Sequence, residues 1–258
     1  MTEAVPKLIF IIPYRDRKNQ KGLFSRQMSY VLEDVPSTQY KIYFSEQCDT
    51  RDFNRGAMKN IGFLAMKNKY PDDYKNITFV FNDVDTMPYE KNVLNYSTTK
   101  GVVKHFFGYE NTLGGIVSIT GEDFENSLGY PNLWAWGFED NMLQIRVLRN
   151  NITIDRSLFF RVANKEIIQL TDDLYKVVNR GEFDRYMSNT NDGIKDISSL
   201  EYTIDETNGI INITNFSVPV TNNPAQNKIY DIRNGSRPFP IEPKSKGRRF
   251  KATMSLFM

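Results

Sequence analysis

Apolar positions early in the chain fall into short runs separated by stretches of helical period. Residues 7–12 (Lys-Leu-Ile-Phe-Ile-Ile) predict a first strand that breaks at Pro13, and Tyr14 to Asn19 read as a polar loop. Residues 20–34 carry a weaker helical period, and Tyr40–Phe44 predicts a second strand. Phe53–Lys69 sets Ile61, Leu64 and Ala65 on one helical face with charges opposite, and Ile77–Phe81 predicts a third strand. Strand, helix, strand, helix, strand is a βαβ pattern. It predicts an α/β fold with a mostly parallel sheet and helices on both faces.

Beyond this core, Gly101–Phe107 and residues 114–119 read as strands, residues 122–128 as a short helix, and Met142–Asn150 as a periodic helix. Residues 152–170 alternate between strand-like and polar, and Ile210–Val218 predicts a further strand. From Pro219 onward proline, asparagine and basic residues dominate. The expected organisation is one α/β domain over residues 1–218 and an extension over 219–258 that wraps the surface or is partly disordered.

Composition narrows the class. Of 258 residues, 40% are hydrophobic and 13% aromatic, enough for a packed core. Net charge is +2 from 33 basic and 31 acidic residues, so no global nucleic-acid signature exists. The basic run Lys244–Lys251 reads as a solvated tail or a docking site for an acidic partner or membrane surface. Cys48 is the only cysteine, so no intramolecular disulfide forms. The apolar run Leu8–Ile12 is interrupted by Pro13, Arg15 and Arg17, unlike a signal peptide, and no stretch approaches the roughly 18 apolar residues of a membrane span. These features predict a soluble, cytoplasmic protein. The Asn-x-Ser/Thr triplets at Asn76, Asn95, Asn151 and Asn212 are then read as unglycosylated.

Candidate chemistry gathers at strand ends. In Phe79-Val80-Phe81-Asn82-Asp83-Val84-Asp85-Thr86-Met87-Pro88 a buried-type strand leads into two acids spaced i, i+2. At the carboxyl end of a strand in an open α/β sheet, such acids face the ligand crevice and suit a hard divalent cation that in turn holds a phosphate. Asn and Asp are also ordinary turn residues. Pro13-Tyr14-Arg15-Asp16-Arg17 offers an aromatic and two arginines for a base and a phosphate, or a solvated loop. Arg55, after Phe53-Asn54, suits a nucleotide or a surface acid equally. Trp134-Ala135-Trp136-Gly137-Phe138-Glu139-Asp140-Asn141 fits sugar binding better: aromatic faces pack on sugar rings, carboxylates accept hydroxyl hydrogen bonds, and one acid can serve as general base. A structural turn with a Trp anchor is the alternative.

These motifs, with Asn60-Ile61-Gly62-Phe63, Gly114-Gly115, Phe183-Asp184-Arg185 and Ser199-Leu200-Glu201-Tyr202, occur in an order and spacing that resembles the β-1,4-galactosyltransferase family (glycosyltransferase family 7) over residues 7 to about 218. The resemblance implies a GT-A fold and inverting transfer of a hexose, galactose or N-acetylgalactosamine, from a UDP-sugar to a hydroxyl of a glycan or glycoconjugate. It implies Mn²⁺ as cofactor, with Mg²⁺ the alternative, bound by Asp85. It assigns Pro13, Tyr14, Arg15, Arg17, Phe53, Arg55, Asp83, Gly115 and Trp136 to the nucleotide-sugar, and Trp136, Gly137 and Asn141 to the acceptor. Asp140 matches the base and Glu139 a donor-sugar contact. Animal members are anchored in the Golgi, so the lone cysteine and missing anchor suggest a microbial or viral origin.

The chain departs from the family pattern at several positions. Phe138 replaces a glycine and is expected to stiffen a loop that moves on donor binding. Asn141 replaces an acid, and Thr112 falls where the family has a tyrosine that helps select the donor sugar. Counting back from Phe183 puts Leu170 where the family supplies a second metal ligand, a histidine; Asp172 or Asp173 are candidate replacements. The single histidine, His105, is expected to be structural. A catalytically degenerate sugar- or nucleotide-binding protein on the same fold is the competing reading.

Overall fold

A computed structural model of the chain describes residues 4–171, 174–235 and 238–239. In chain order the first half holds β1 (Leu8–Tyr14), α1 (Lys18–Val31), β2 (Tyr40–Gln47), α2 (Arg55–Lys69), β3 (Thr78–Asn82), β4 (Thr86–Pro88), β5 (Val102–Gly108), β6 (Ile116–Thr120) and α3 (Gly121–Asn126). There follow α4 (Glu139–Arg149), β7 (Thr153–Asp155), β8 (Phe160–Arg161), β9 (Ile167–Gln169), β10 (Tyr175–Asn179), α5 (Arg180–Met187), β11 (Ser198–Asp205), β12 (Ile210–Ser217) and β13 (Asn227–Asp231).

One large sheet runs β11-β12-β2-β1-β3-β6-β5-β7, with β8 added beside β5. The β12–β2–β1–β3 stretch contains only parallel pairs, and β6 enters antiparallel to β3. β1 alternates its side chains between two cores, which is why its sequence is continuously apolar. Ile9 and Ile11 pack with Ala57, Met58 and Ile61 of α2, while Phe10 and Ile12 pack with Phe24, Met28 and Val31 of α1. The two crossovers from β1 to β2 and from β2 to β3 thus cover opposite faces. This layout puts the carboxyl ends of β1 and β3 side by side, at the point where open α/β sheets bind ligands.

The helices start where local chemistry allows. The Asn54 side chain accepts from the Ala57 N–H at 2.8 Å and caps α2, whose last turn carries Lys67 and Lys69 at the negative end of the helix dipole. β1 does not break at Pro13 as its sequence predicts. It continues to Tyr14, with Pro13 opposite Ser45 of β2. Its pairing with β3 ends at Ile11 and Phe81, so Pro13 has a strand on one side only. α4 starts at Glu139 rather than Met142, which puts Glu139 and Asp140 in its first turn.

Past Pro219 the described chain lies against the domain. β13 pairs antiparallel with β10, and Phe239 is buried against Phe183 at 5.2 Å between ring centroids. The basic run Lys244–Lys251 lies outside the described residues. Among the described residues no helix is long and apolar enough to cross a membrane.

Candidate active site

Asn82, the last residue of β3, is fully buried, and its side-chain amide donates to the carbonyls of Asp83 and Thr86 at 2.8 Å each. This folds Asp83-Val84-Asp85 into a tight turn and aims it away from the sheet. The Asp83 N–H donates to the Gly115 carbonyl at 3.0 Å, so the turn is tied to the start of β6. Gly115 sits at φ 73°, where a Cβ would lie 2.4 Å from the Phe107 carbonyl oxygen; only glycine allows that approach.

The wall opposite is built from the Trp134–Asn141 segment, whose two tryptophans do different work. Trp134 is buried, stacks on Phe216 at 5.6 Å, carries the Arg51 guanidinium 4.7 Å from its ring, and donates Nε1–H to the Val220 carbonyl. Trp136 lines the cleft, held by its N–H to the Val177 carbonyl at 2.7 Å. Between them the Glu182 carboxylate accepts from the N–H groups of Trp134 at 3.1 Å and Ala135 at 2.8 Å. Phe138 takes the left-handed conformation, φ 72°, and stacks on Tyr186 of α5 at 5.0 Å.

Between these walls lies a cleft of about 510 Å³. Arg55, Asp83, Asp85, Gly115, Trp136, Gly137, Glu139, Asp140 and Asn141, all singled out in the sequence, line it, as do Thr112, Phe183 and Phe239. Pro13, Tyr14, Arg15, Arg17 and Phe53 do not. Tyr14 is buried edge-on against Phe44 at 5.9 Å, and Arg15 donates to the Arg51 carbonyl. Arg17 still lies near enough to Asp85 to favour its ionised form, and the Arg55 guanidinium sits 5.5 Å over the Phe53 ring.

The cleft is acidic at its floor. Arg55 pairs with Glu139 at 3.3 Å, and Lys59 with Asp140 at 3.2 Å and Asp83 at 3.6 Å. Burial and the Asp83 charge push the Asp85 carboxyl above the usual carboxylate range, against the pull of Arg55 and Arg17. Burial likewise raises Asp140, partly offset by Lys59. Asp83 Oδ1 and Glu139 Oε2 are buried without a hydrogen-bond partner. Asp83, Asp85, Glu139 and Asp140 therefore face the partly exposed Arg55 and the buried Lys59, and a hard divalent ion at Asp85 fits that excess of negative oxygen. No group of three His, Cys, Asp or Glu side chains able to hold a metal occurs among the described residues. A hard ion held by a single carboxylate would complete its shell with phosphate and water oxygens. Asp172 and Asp173 lie outside the described residues.

Lys59 escaped the sequence reading, since one lysine on a helix carries no signal until its burial is seen. His105 is structural. Its Nδ1 accepts from Arg156 Nε at 3.0 Å, so Nε2 carries the proton and donates toward the carbonyls of Phe107 and Gly114 at 2.9 and 3.0 Å.

Residues 2–98 match the family described as the N-terminal region of glycosyl transferase group 7, and residues 100–168 match the N-terminal domain of galactosyltransferase. The chain belongs to the β-1,4-galactosyltransferase family. It is 31% identical over 159 residues to the xylosylprotein 4-beta-galactosyltransferase of Caenorhabditis elegans, covering 58% of this chain and 53% of that protein. To β-1,4-galactosyltransferase 4 of Cricetulus griseus it is 30% identical over 172 residues, 60% of this chain and 46% of that one. This member thus spans about half the length of the curated relatives it matches. The catalytic domain of Drosophila β1,4-galactosyltransferase 7, crystallised with xylobiose, superposes with a TM-score of 0.59 at 22% identity, covering 81% of this chain and 94% of that one. A mutant of the same enzyme with manganese, UDP-Gal and xylobiose gives 0.60. The family member described here therefore has the GT-A fold.

Proposed function

We propose that the chain is an inverting, metal-dependent glycosyltransferase that moves galactose or N-acetylgalactosamine from a UDP-sugar to a hydroxyl of a glycan or glycoconjugate. One observation carries the reading: Asp83 and Asp85 share a single cleft with Trp136, Glu139 and Asp140, and these four acids outnumber the two cations paired with them, Arg55 and Lys59. Family membership and the UDP-Gal and manganese held by a protein of the same fold support it.

In this reading Arg55 faces the diphosphate from within the cleft and Arg17 from beside Asp85. Pro13, Tyr14, Arg15 and Phe53, the family's uridine positions, lie outside the cleft and would meet the uridine only beyond its edge. Asp85 holds Mn²⁺, or Mg²⁺, which when bound supplies charge neutralisation for the UDP leaving group. Trp136 packs on donor and acceptor sugars, Glu139 accepts from donor hydroxyls, and Gly137 and Asn141 meet the acceptor. Asp140 takes the acceptor hydroxyl proton. A carboxylate held above its ordinary pKa is a stronger base and is matched to work near neutral pH. In-line attack by that hydroxyl inverts the anomeric carbon without an enzyme nucleophile. The exposed thiol of Cys48 suits a reducing compartment, so a soluble, cytoplasmic setting belongs to the proposal.

The test is release of UDP from UDP-galactose and UDP-N-acetylgalactosamine with Mn²⁺, with and without a panel of acceptor sugars. Acceptor-stimulated release that stops with a chelator is the expected result. A second reading, a binding protein that has lost turnover, is favoured by Leu170 at the histidine position and by the single metal-facing acid. Calorimetric binding of UDP and Mn²⁺ without UDP release from either donor would establish it instead.

A further inference from the structure

Lys59 is a lysine with only 2% of its side chain exposed, in the second turn of α2. Burying an ammonium is costly unless it is paired. Here Asp140 Oδ1 lies 3.2 Å from Nζ, Asp83 Oδ1 3.6 Å away, and the Tyr130 ring centroid 4.5 Å below. Arg55, four residues earlier on the same helical face, pairs with Glu139. Two cations one turn apart on α2 therefore engage two consecutive acids in the first turn of α4. The other carboxylate oxygen, Asp140 Oδ2, is lodged over Gly114, where an added Cβ would lie 2.3 Å from it. The Leu113 N–H also donates to the Asp140 backbone carbonyl at 3.0 Å, fixing this residue from the β6 side.

We propose that Lys59 is a positioning residue: its ammonium holds the Asp140 carboxylate against Gly114 and ties it to Asp83, joining the acid turn of β3 to the acid turn of α4. The inference rests on the reading of Asp140 as the base. Lys59 itself is too buried to meet substrate, so it acts through Asp140. The groups facing Asp140 are Lys59 and Arg55 from α2, Asp83 from the end of β3, and Glu139 beside it on α4.

The experiment is a double-mutant cycle of Lys59→Met and Asp140→Asn, with Lys59→Gln as the variant that keeps a hydrogen-bonding head should the methionine fail to fold. Steady-state kinetics on the donor, UDP binding by calorimetry and chemical denaturation are read for each protein. Lys59→Met should lower kcat about 10- to 100-fold through misplacement of the base. Donor KM and UDP affinity should stay within about twofold, and the substitution should cost nothing further in the Asp140→Asn background. Turnover losses that multiply in the double mutant, or a UDP affinity that falls as far as kcat, overturn the proposal. Denaturation separates this from the functional reading, since it needs no turnover. If the unmutated chain transfers no sugar, the functional reading fails by itself, and additive stability changes in the same cycle would still overturn the pairing.

Discussion

Leu170 donates its backbone N–H to the carbonyl oxygen of Asp85 at 2.8 Å, so the residue that follows β9 lies alongside the acid of the Asp-Val-Asp turn. The antiparallel pairing of β4 with β9, from Thr86 opposite Gln169 to Pro88 opposite Ile167, sets this register. A ladder therefore brings the position expected for a family histidine to Asp85, and the chain places a leucine there.

A first prediction follows for the metal. Asp85→Ala removes the carboxylate nearest the proposed ion and is expected to abolish sugar transfer and Mn²⁺ binding while the thermal transition persists. Leu170→His adds an imidazole next to Asp85 and should tighten Mn²⁺ binding roughly 10- to 100-fold. Titration calorimetry with Mn²⁺ alone checks both, and equal affinity in Leu170→His and the unmutated chain removes the claim that this position governs the site.

A second prediction concerns Asp140. Asp140→Asn keeps the shape and loses the base, so turnover should fall by about 10² to 10⁴ while UDP still binds. Because burial raises the Asp140 carboxyl, the base is lost to protonation well above the pH at which an exposed aspartate titrates. Turnover should decline as pH drops through that raised value, and the decline should vanish from the residual rate of Asp140→Asn. Normal turnover in the variant would sink the base assignment.

The central sheet was readable because its strands are buried on both faces: β1 and β3 are unbroken apolar runs, and α2 shows its buried stripe. The acid turn and the Trp134–Asn141 segment were readable as chemistry for the same local reason, since unusual residue types crowd into few positions. What failed to show is non-local. β13 is polar on its face, and it becomes a strand by pairing with β10 some 50 residues away. Lys59 looked like any surface lysine because its partners, Asp83 and Asp140, come from other elements. Which of the two tryptophans is core and which lines the cleft was likewise decided by Phe216 and Val220, far along the chain.

His105 supports a third prediction. Burial and the neighbouring Arg156 hold its pKa down at about 4, below the ordinary 6.5, so the folded protein keeps it neutral. A histidine depressed in the folded state contributes stability in full above pH 6.5, and this contribution is lost as pH falls toward 4. Between pH 7 and pH 5 the loss from this group is about 2 kcal/mol. Denaturant midpoints at the two pH values should show it, and His105→Gln should flatten the difference at lower overall stability. The same pH dependence in both proteins would place its origin in another group.

Phe138 supplies the last prediction. It is a non-glycine residue at φ 72°, a conformation that costs an L-residue about 1–2 kcal/mol. It is held there by Tyr186, stacked at 5.0 Å with 20° between the rings, and by Phe183 at 5.1 Å. Phe138→Gly relieves the strain and deletes both ring contacts. Truncating a large aromatic side chain costs about 3–5 kcal/mol when it is fully buried, and Phe138 is only partly so. The balance is then roughly 1–2 kcal/mol of lost stability, which for a chain of this size lowers Tm by about 2–8 °C. The loop from Trp134 to Phe138 keeps its anchors at Glu182 and Val177 but loses the ring contacts of Phe138 with Phe183 and Tyr186. Amide exchange at Gly137 and Phe138 should therefore accelerate in the absence of donor. Donor binding should suppress it, because an ordered loop is what the ring contacts otherwise supply in advance. Unchanged Tm together with unchanged exchange would show that Phe138 packs without restraining the loop.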